Sequence, residues 1–109
     1  MDEIILVLTN LPDRESALRV ANALIESRAA ACVNILAECT SVYCWRGKTE
    51  TASEVPLLIK ATYNTYRDIE KIIHALHPYE LPEIMAVSVR DGCPDYLNWI
   101  VQATSVAKL

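Results

Sequence analysis

Apolar residues along this chain follow two different periods, and the switches between them mark out the elements. Ile4 to Leu8 is an unbroken aliphatic run, the pattern of a strand central in a sheet, and Thr9 to Pro12 close it. Asp13 then caps a helix in which Ala17, Leu18, Ala21, Leu24 and Ile25 recur at three- and four-residue spacing. Ala30 to Leu36 begins a second strand, Ser41 to Trp45 continues it, and Gly47 supplies the positive φ of a tight hairpin. The return strand runs from about Thr49 to Thr62 and contains Pro56, which must face an open edge or a bulge because it cannot donate to a ladder. Asn64 or Thr65 caps the next helix, with Tyr66, Ile69, Ile72, Ile73 and Leu76 on one face, and Pro78 stops it. Ile84 to Val89 reads as a further strand, and Pro94 opens a last helix carrying Tyr96, Leu97, Ile100 and Val101.

The order βαββαβ plus a C-terminal helix predicts an α+β, ferredoxin-like split βαβ sandwich, an antiparallel sheet with helices on one face, filling residues 1–109 as a single domain. The central hairpin is too long for such a domain. About fourteen residues per arm at roughly 3.3 Å each gives about 46 Å, whereas a domain of this size is only about 34 Å across. The distal half then projects into solvent with Val42, Tyr43, Trp45, Arg46 and Lys48. An exposed apolar edge invites pairing. Tyr43, Trp45, Arg46 and Lys48 are therefore expected at a subunit interface. The competing expectation is a break near Ala37 to Thr40 that folds two shorter strands back onto the body.

Composition narrows the partners. The net charge of −4 repels phosphate backbones and anionic membranes. RNA recognition on this fold needs aromatics on the two central strands, and Ile4 to Leu8 and Leu57 to Ala61 have none. No nucleic acid and no membrane are expected. The acidic start Met1-Asp2-Glu3 is unlike a secretory leader, and Cys32, Cys39, Cys44 and Cys93 lack CxxC spacing, so the expectation is a cytoplasmic protein with free thiols.

The segment richest in chemistry is His77-Pro78-Tyr79-Glu80-Leu81-Pro82-Glu83. Its prolines hold an imidazole, a phenol and two carboxylates in an extended, low-entropy loop. Imidazole, thiolate and carboxylate are the protein ligands of Cu²⁺ and Zn²⁺, and Cu²⁺ heads the divalent affinity order. His77, Glu80 and Glu83 can share an ion if the loop curls, with Cys32 reaching in from the neighbouring strand; Cu²⁺ is favoured over Zn²⁺. The structural alternative is that His77 caps the preceding helix and bonds a carbonyl. Cys32 with His77 is the one pairing of nucleophile and base, and with only Gly47 and Gly92 there is no phosphate-cradling loop, so no enzyme is expected.

Ala30-Ala31-Cys32-Val33-Asn34-Ile35, Ser41-x-Tyr43-x-Trp45-x-Gly47-Lys48, Glu54 with Ile59-Lys60, and His77-Pro78-Tyr79-Glu80-x-Pro82-Glu83 together resemble the signature segments of the CutA divalent-cation-tolerance family. The resemblance spans nearly the whole chain. It implies a ferredoxin-like homotrimer assembled through the long hairpin, a PII-like architecture, and a link to tolerance of copper and other divalent metals. At positions where some members carry copper ligands this chain has Thr9 and Leu76, and His77 alone keeps a ligand type. The likeness to PII-type trimers also implies a second function, a sensor whose small anionic or nucleotide-like effector binds a cleft between subunits lined by Lys60, Tyr79 and Glu83.

Overall fold

From Ile5 to the end of β1 (Ile4–Leu11), buried and half-buried residues alternate strictly, which shows a strand with a different environment on each face. The computed structural model describes residues 3–105. In chain order β1 is followed by α1 (Arg14–Glu26), β2 (Cys32–Ile35), β3 (Cys39–Trp45), β4 (Lys48–Thr62), a single 3₁₀ turn at Tyr63–Thr65, α2 (Tyr66–Leu76), β5 (Met85–Ser88) and α3 (Pro94–Thr104). The sheet order is β2-β4-β1-β5, with every pair antiparallel, and β3 extends the hairpin along β4. This is the ferredoxin-like arrangement that the element order predicts.

One sheet face carries the core. Ile5, Val7 and Leu11 of β1 stand across from Ala61, Ile59 and Val55 of β4, and Val20 and Leu24 of α1 with Ile69 and Ile73 of α2 close over them. Asp13 caps α1 as expected, its Oδ1 accepting the Ser16 N–H at 2.8 Å. Thr65 sits at the cap of α2 but does not cap it: its hydroxyl donates to the Ala29 carbonyl at 2.7 Å, tying the turn before α2 to the turn after α1. Thr9 is the anomaly of this layer. It is 1% exposed, and its hydroxyl has no hydrogen-bond partner among the described residues. Because a buried hydroxyl without a partner loses its hydration for nothing, Thr9→Val should raise stability by about 1 to 2 kcal/mol in urea denaturation.

Helices on one face alone was too simple an expectation. α1 and α2 cover the core face, while α3 lies against the other: Tyr96 of α3 takes the Lys60 ammonium at 5.8 Å from its ring centroid, and Lys60 belongs to the outward-facing set of β4. The rest of that second face stays open. Leu6, Leu8 and Leu58 are half-buried there, and Met85 and Val87, paired with Leu8 and Leu6, are 52% and 49% exposed.

The hairpin does break at 36–38, but its distal part does not fold back. β3 stays in register with β4 from Cys39↔Glu54 to Trp45↔Lys48, and β1 ends opposite Val55. Among the described residues the segment of β4 from Lys48 to Glu54 therefore has no strand partner except β3, an overhang of roughly 23 Å at about 3.3 Å per residue. It gives the molecule extents of 45 × 28 × 23 Å. Pro56 accounts for the break. Its carbonyl accepts the Leu36 N–H on the β2 side, so its missing N–H falls on that side too, where the strand is interrupted. At the tip, Arg46 and Gly47 both have positive φ, 53° and 81°, the two-residue turn whose twist suits a hairpin.

Candidate functional site

Where β1 stops, the 77–83 loop takes over. His77 is the extended residue that ends α2; its N–H bonds to the Ile73 carbonyl, and its ring is buried. Nε2 lies 2.6 Å from the Asn10 carbonyl oxygen. A carbonyl only accepts, so Nε2 carries the proton, and Nδ1 is left to accept the Tyr79 N–H at 3.1 Å. The imidazole is thus a brace that bolts the loop onto the end of β1, as the structural alternative foresees, and both ring nitrogens are engaged.

Asn10 is the hub. Its side-chain amide donates to Glu83 Oε1 at 3.1 Å and to Glu54 Oε1 at 3.3 Å, while Tyr79 Oη donates to Glu54 Oε2 at 3.0 Å. Register explains the meeting: Glu54 is the first residue of β4 beyond the end of β1, and it points to the same face as Asn10, Tyr43 and Trp45. These side chains wall a cleft of about 980 Å³ between the loop and the overhanging arm, with Glu80 on its rim. Arg46 reaches across that rim to Glu80 at 3.9 Å and covers the Trp45 ring at 5.3 Å.

Burial in this corner, and then the bond to Glu54, push the Tyr79 phenol up to about 12. The folded value lies above the ordinary 10, so the neutral phenol stabilises the fold fully below pH 10, and that contribution is lost as pH rises from 10 to 12. An alkaline absorbance titration should show one tyrosine ionising last, a phase that Tyr79→Phe removes.

The chain brings together Tyr79, Glu80 and Glu83, and adds Asn10 and Glu54, whose roles sequence reasoning missed. A polar residue at the end of an apolar strand and an acid inside a strand were the available signals. Lys60 is not in this cleft: it lies six positions along β4 from Glu54, beside Tyr96 on the second face. Cys32, paired with Lys60, shares that distant position, its thiol near Asn34. Among the described residues no three His, Cys, Asp or Glu side chains gather closely enough to hold a metal ion. Tyr43, Trp45, Arg46 and Lys48 are all exposed on the overhang.

Residues 5–103 match the family model described as CutA1 divalent ion tolerance protein. The chain belongs to this family. It is 39% identical over 104 residues to the divalent-cation tolerance protein CutA of Thermus thermophilus, covering 95% of this chain and 99% of that one. It is 40% identical to the mouse protein CutA over 85% of this chain, and spans 52% of that longer protein. Its fold superposes on CutA1 from Oryza sativa with a TM-score of 0.92 at 33% identity, covering 96% of both chains. CutA from Xylella fastidiosa gives 0.91 at 40% identity, over 94% of this chain and 98% of that one.

Proposed function

We propose that this CutA-type protein serves divalent-cation tolerance as a homotrimer, holding a metal ion, Cu²⁺ ahead of Zn²⁺, at the cleft beside the 77–83 loop without catalysing a reaction. The observation that carries this reading is the convergence of Glu54 and Glu83 on one Asn10 amide, with Glu80 at the rim, in a member of a divalent-ion tolerance family. A cation that binds there replaces the amide between the carboxylates. His77 joins only by giving up its bond from the Tyr79 N–H, and Cys32 only from another protomer. The overhanging arm and the open apolar face support assembly, since both leave in water groups that sister copies would cover. Four free cysteines support a reducing, cytoplasmic setting.

Calorimetric titration of the reduced protein with Cu²⁺ and Zn²⁺ tests the metal reading. A stoichiometric site that Glu83→Gln or His77→Ala abolishes is the expected result; equal, weak isotherms for all three proteins would overturn it. The exposed rings of Tyr43, Trp45 and Tyr79 in the same cleft favour a second reading, a PII-like sensor that binds a small effector there.

A further inference from the structure

The cleft contains a carboxylate that no described cation of this chain pairs with. Glu54 is 8% exposed, yet its partners, the Tyr79 hydroxyl and the Asn10 amide, are both neutral. Among the described residues no Lys, Arg or His forms an ion pair with it or with Glu83. Glu54 is held by two neutral donors and Glu83 by one, so a positively charged donor would add the charge-assisted bonds that the site does not make within this chain's described residues. Around these carboxylates stand the rings of Tyr43, Trp45 and Tyr79, which are 44%, 38% and 37% exposed. Aromatic faces beside carboxylates suit an organic cation: the ring quadrupole attracts the nitrogen-centred charge, and the carboxylates take its N–H bonds. The chain carries an example of the fit. The Arg46 guanidinium lies 5.3 Å from the Trp45 ring centroid and 3.9 Å from Glu80. It satisfies the rim and leaves the inner pair, Glu54 and Glu83, without a positive partner.

We infer that the cleft receives the guanidinium or ammonium head of an organic cation, seated between Trp45 and the Glu54–Glu83 pair and displacing Arg46 from the rim. This rests on the sensor reading of the site and gives the effector a chemical class, positively charged where the PII likeness suggests an anion. A bare metal ion uses the carboxylates but leaves the rings without a role. A basic side chain from a neighbouring copy presents the same chemistry as a free small molecule, and the experiment separates the two.

Trp99→Phe leaves Trp45 as the sole reporter of the chain's two tryptophans. Titrating that protein with agmatine, a guanidinium on a short amine chain, should give a saturable change in fluorescence. Glu54→Gln and Glu83→Gln should each weaken binding by about tenfold, the loss of one charge-assisted bond. Arg46→Asn, which tolerates the positive φ at this position, should tighten it by about threefold, because the internal competitor is gone. Light scattering on the same samples assigns the source: dissociation by agmatine identifies a neighbour's side chain as the natural occupant, and an unchanged mass identifies a free cation. A response that never saturates, or that is the same in all variants, overturns the inference, and the exposed Glu83 keeps the test valid if Glu54→Gln does not fold. A stoichiometric Cu²⁺ site in protein that ignores agmatine sinks this inference and leaves the metal reading standing; saturable agmatine binding with no Cu²⁺ site does the reverse.

Discussion

His77→Ala should destabilise the protein by about 3 kcal/mol, a loss that combines two orphaned backbone groups with a cavity. The Asn10 carbonyl would lose a donor at 2.6 Å and the Tyr79 N–H its acceptor, both beside a ring that is 8% exposed. The neighbouring Tyr79 ring, 4.7 Å away between centroids, would lose its packing partner as well. Because this imidazole joins the loop to β1, the damage should be local before it is global: amide exchange at Tyr79 should accelerate more than exchange in the β1–β4 ladder. Urea denaturation at fixed protein concentration checks the magnitude, the concentration being held because the proposed assembly would contribute to apparent stability. A histidine kept mainly as an exposed metal ligand would give almost no loss in metal-free buffer, so a change below about 0.5 kcal/mol, the usual range for surface substitutions, would contradict the brace.

Val87→Lys should convert the proposed trimer to monomer. Val87 lies on the edge strand β5 of the open face, across from Leu6 and beside the Met85–Leu8 pair, and it is half exposed in a lone protomer. An ammonium forced into the proposed interface without a partner would cost about 3 kcal/mol or more, weakening subunit affinity by over about a hundredfold. Light scattering across a dilution series should show the wild type holding its mass at micromolar concentration while the variant dissociates. The variant monomer should keep its far-ultraviolet circular dichroism, since Val87 lies on the face away from the α1 and α2 core. A wild-type protein that is itself monomeric would sink the assembly reading, and with it the account of the overhanging arm.

The elements were legible because each is written in local pattern: alternation and β-branching for the strands, three- and four-residue spacing for α1 and α2, Asp13 and Pro94 at helix starts, and Gly47 at the turn. Even the projecting arm was legible, as simple arithmetic on strand length. The break at 36–38 was foreshadowed by Pro56, whose missing donor had to fall somewhere harmless. Less legible was the placement of α3, whose apolar spacing says that it packs but not against which face. The site was half visible. His77, Tyr79, Glu80 and Glu83 stand together in one proline-stiffened stretch, whereas Lys60 and Cys32, grouped with them from the resemblance and from neighbouring-strand logic, lie together elsewhere on the sheet.

The amino-acid order by itself determined which segments become strands and helices, how far the hairpin outruns the body, and which loop is rigid enough to present chemistry, because these depend on neighbours along the chain. Only the tertiary structure decided that Asn10 meets Glu54 across 44 residues and Glu83 across 73, and that the His77 ring closes on the Asn10 carbonyl across 67. Those meetings depend on β-sheet register and on which face each residue points to, and a slip of a single residue turns every side chain to the other side of the sheet. Local preference does not encode that choice; the burial of the shared core, summed over all of its strands and helices, does.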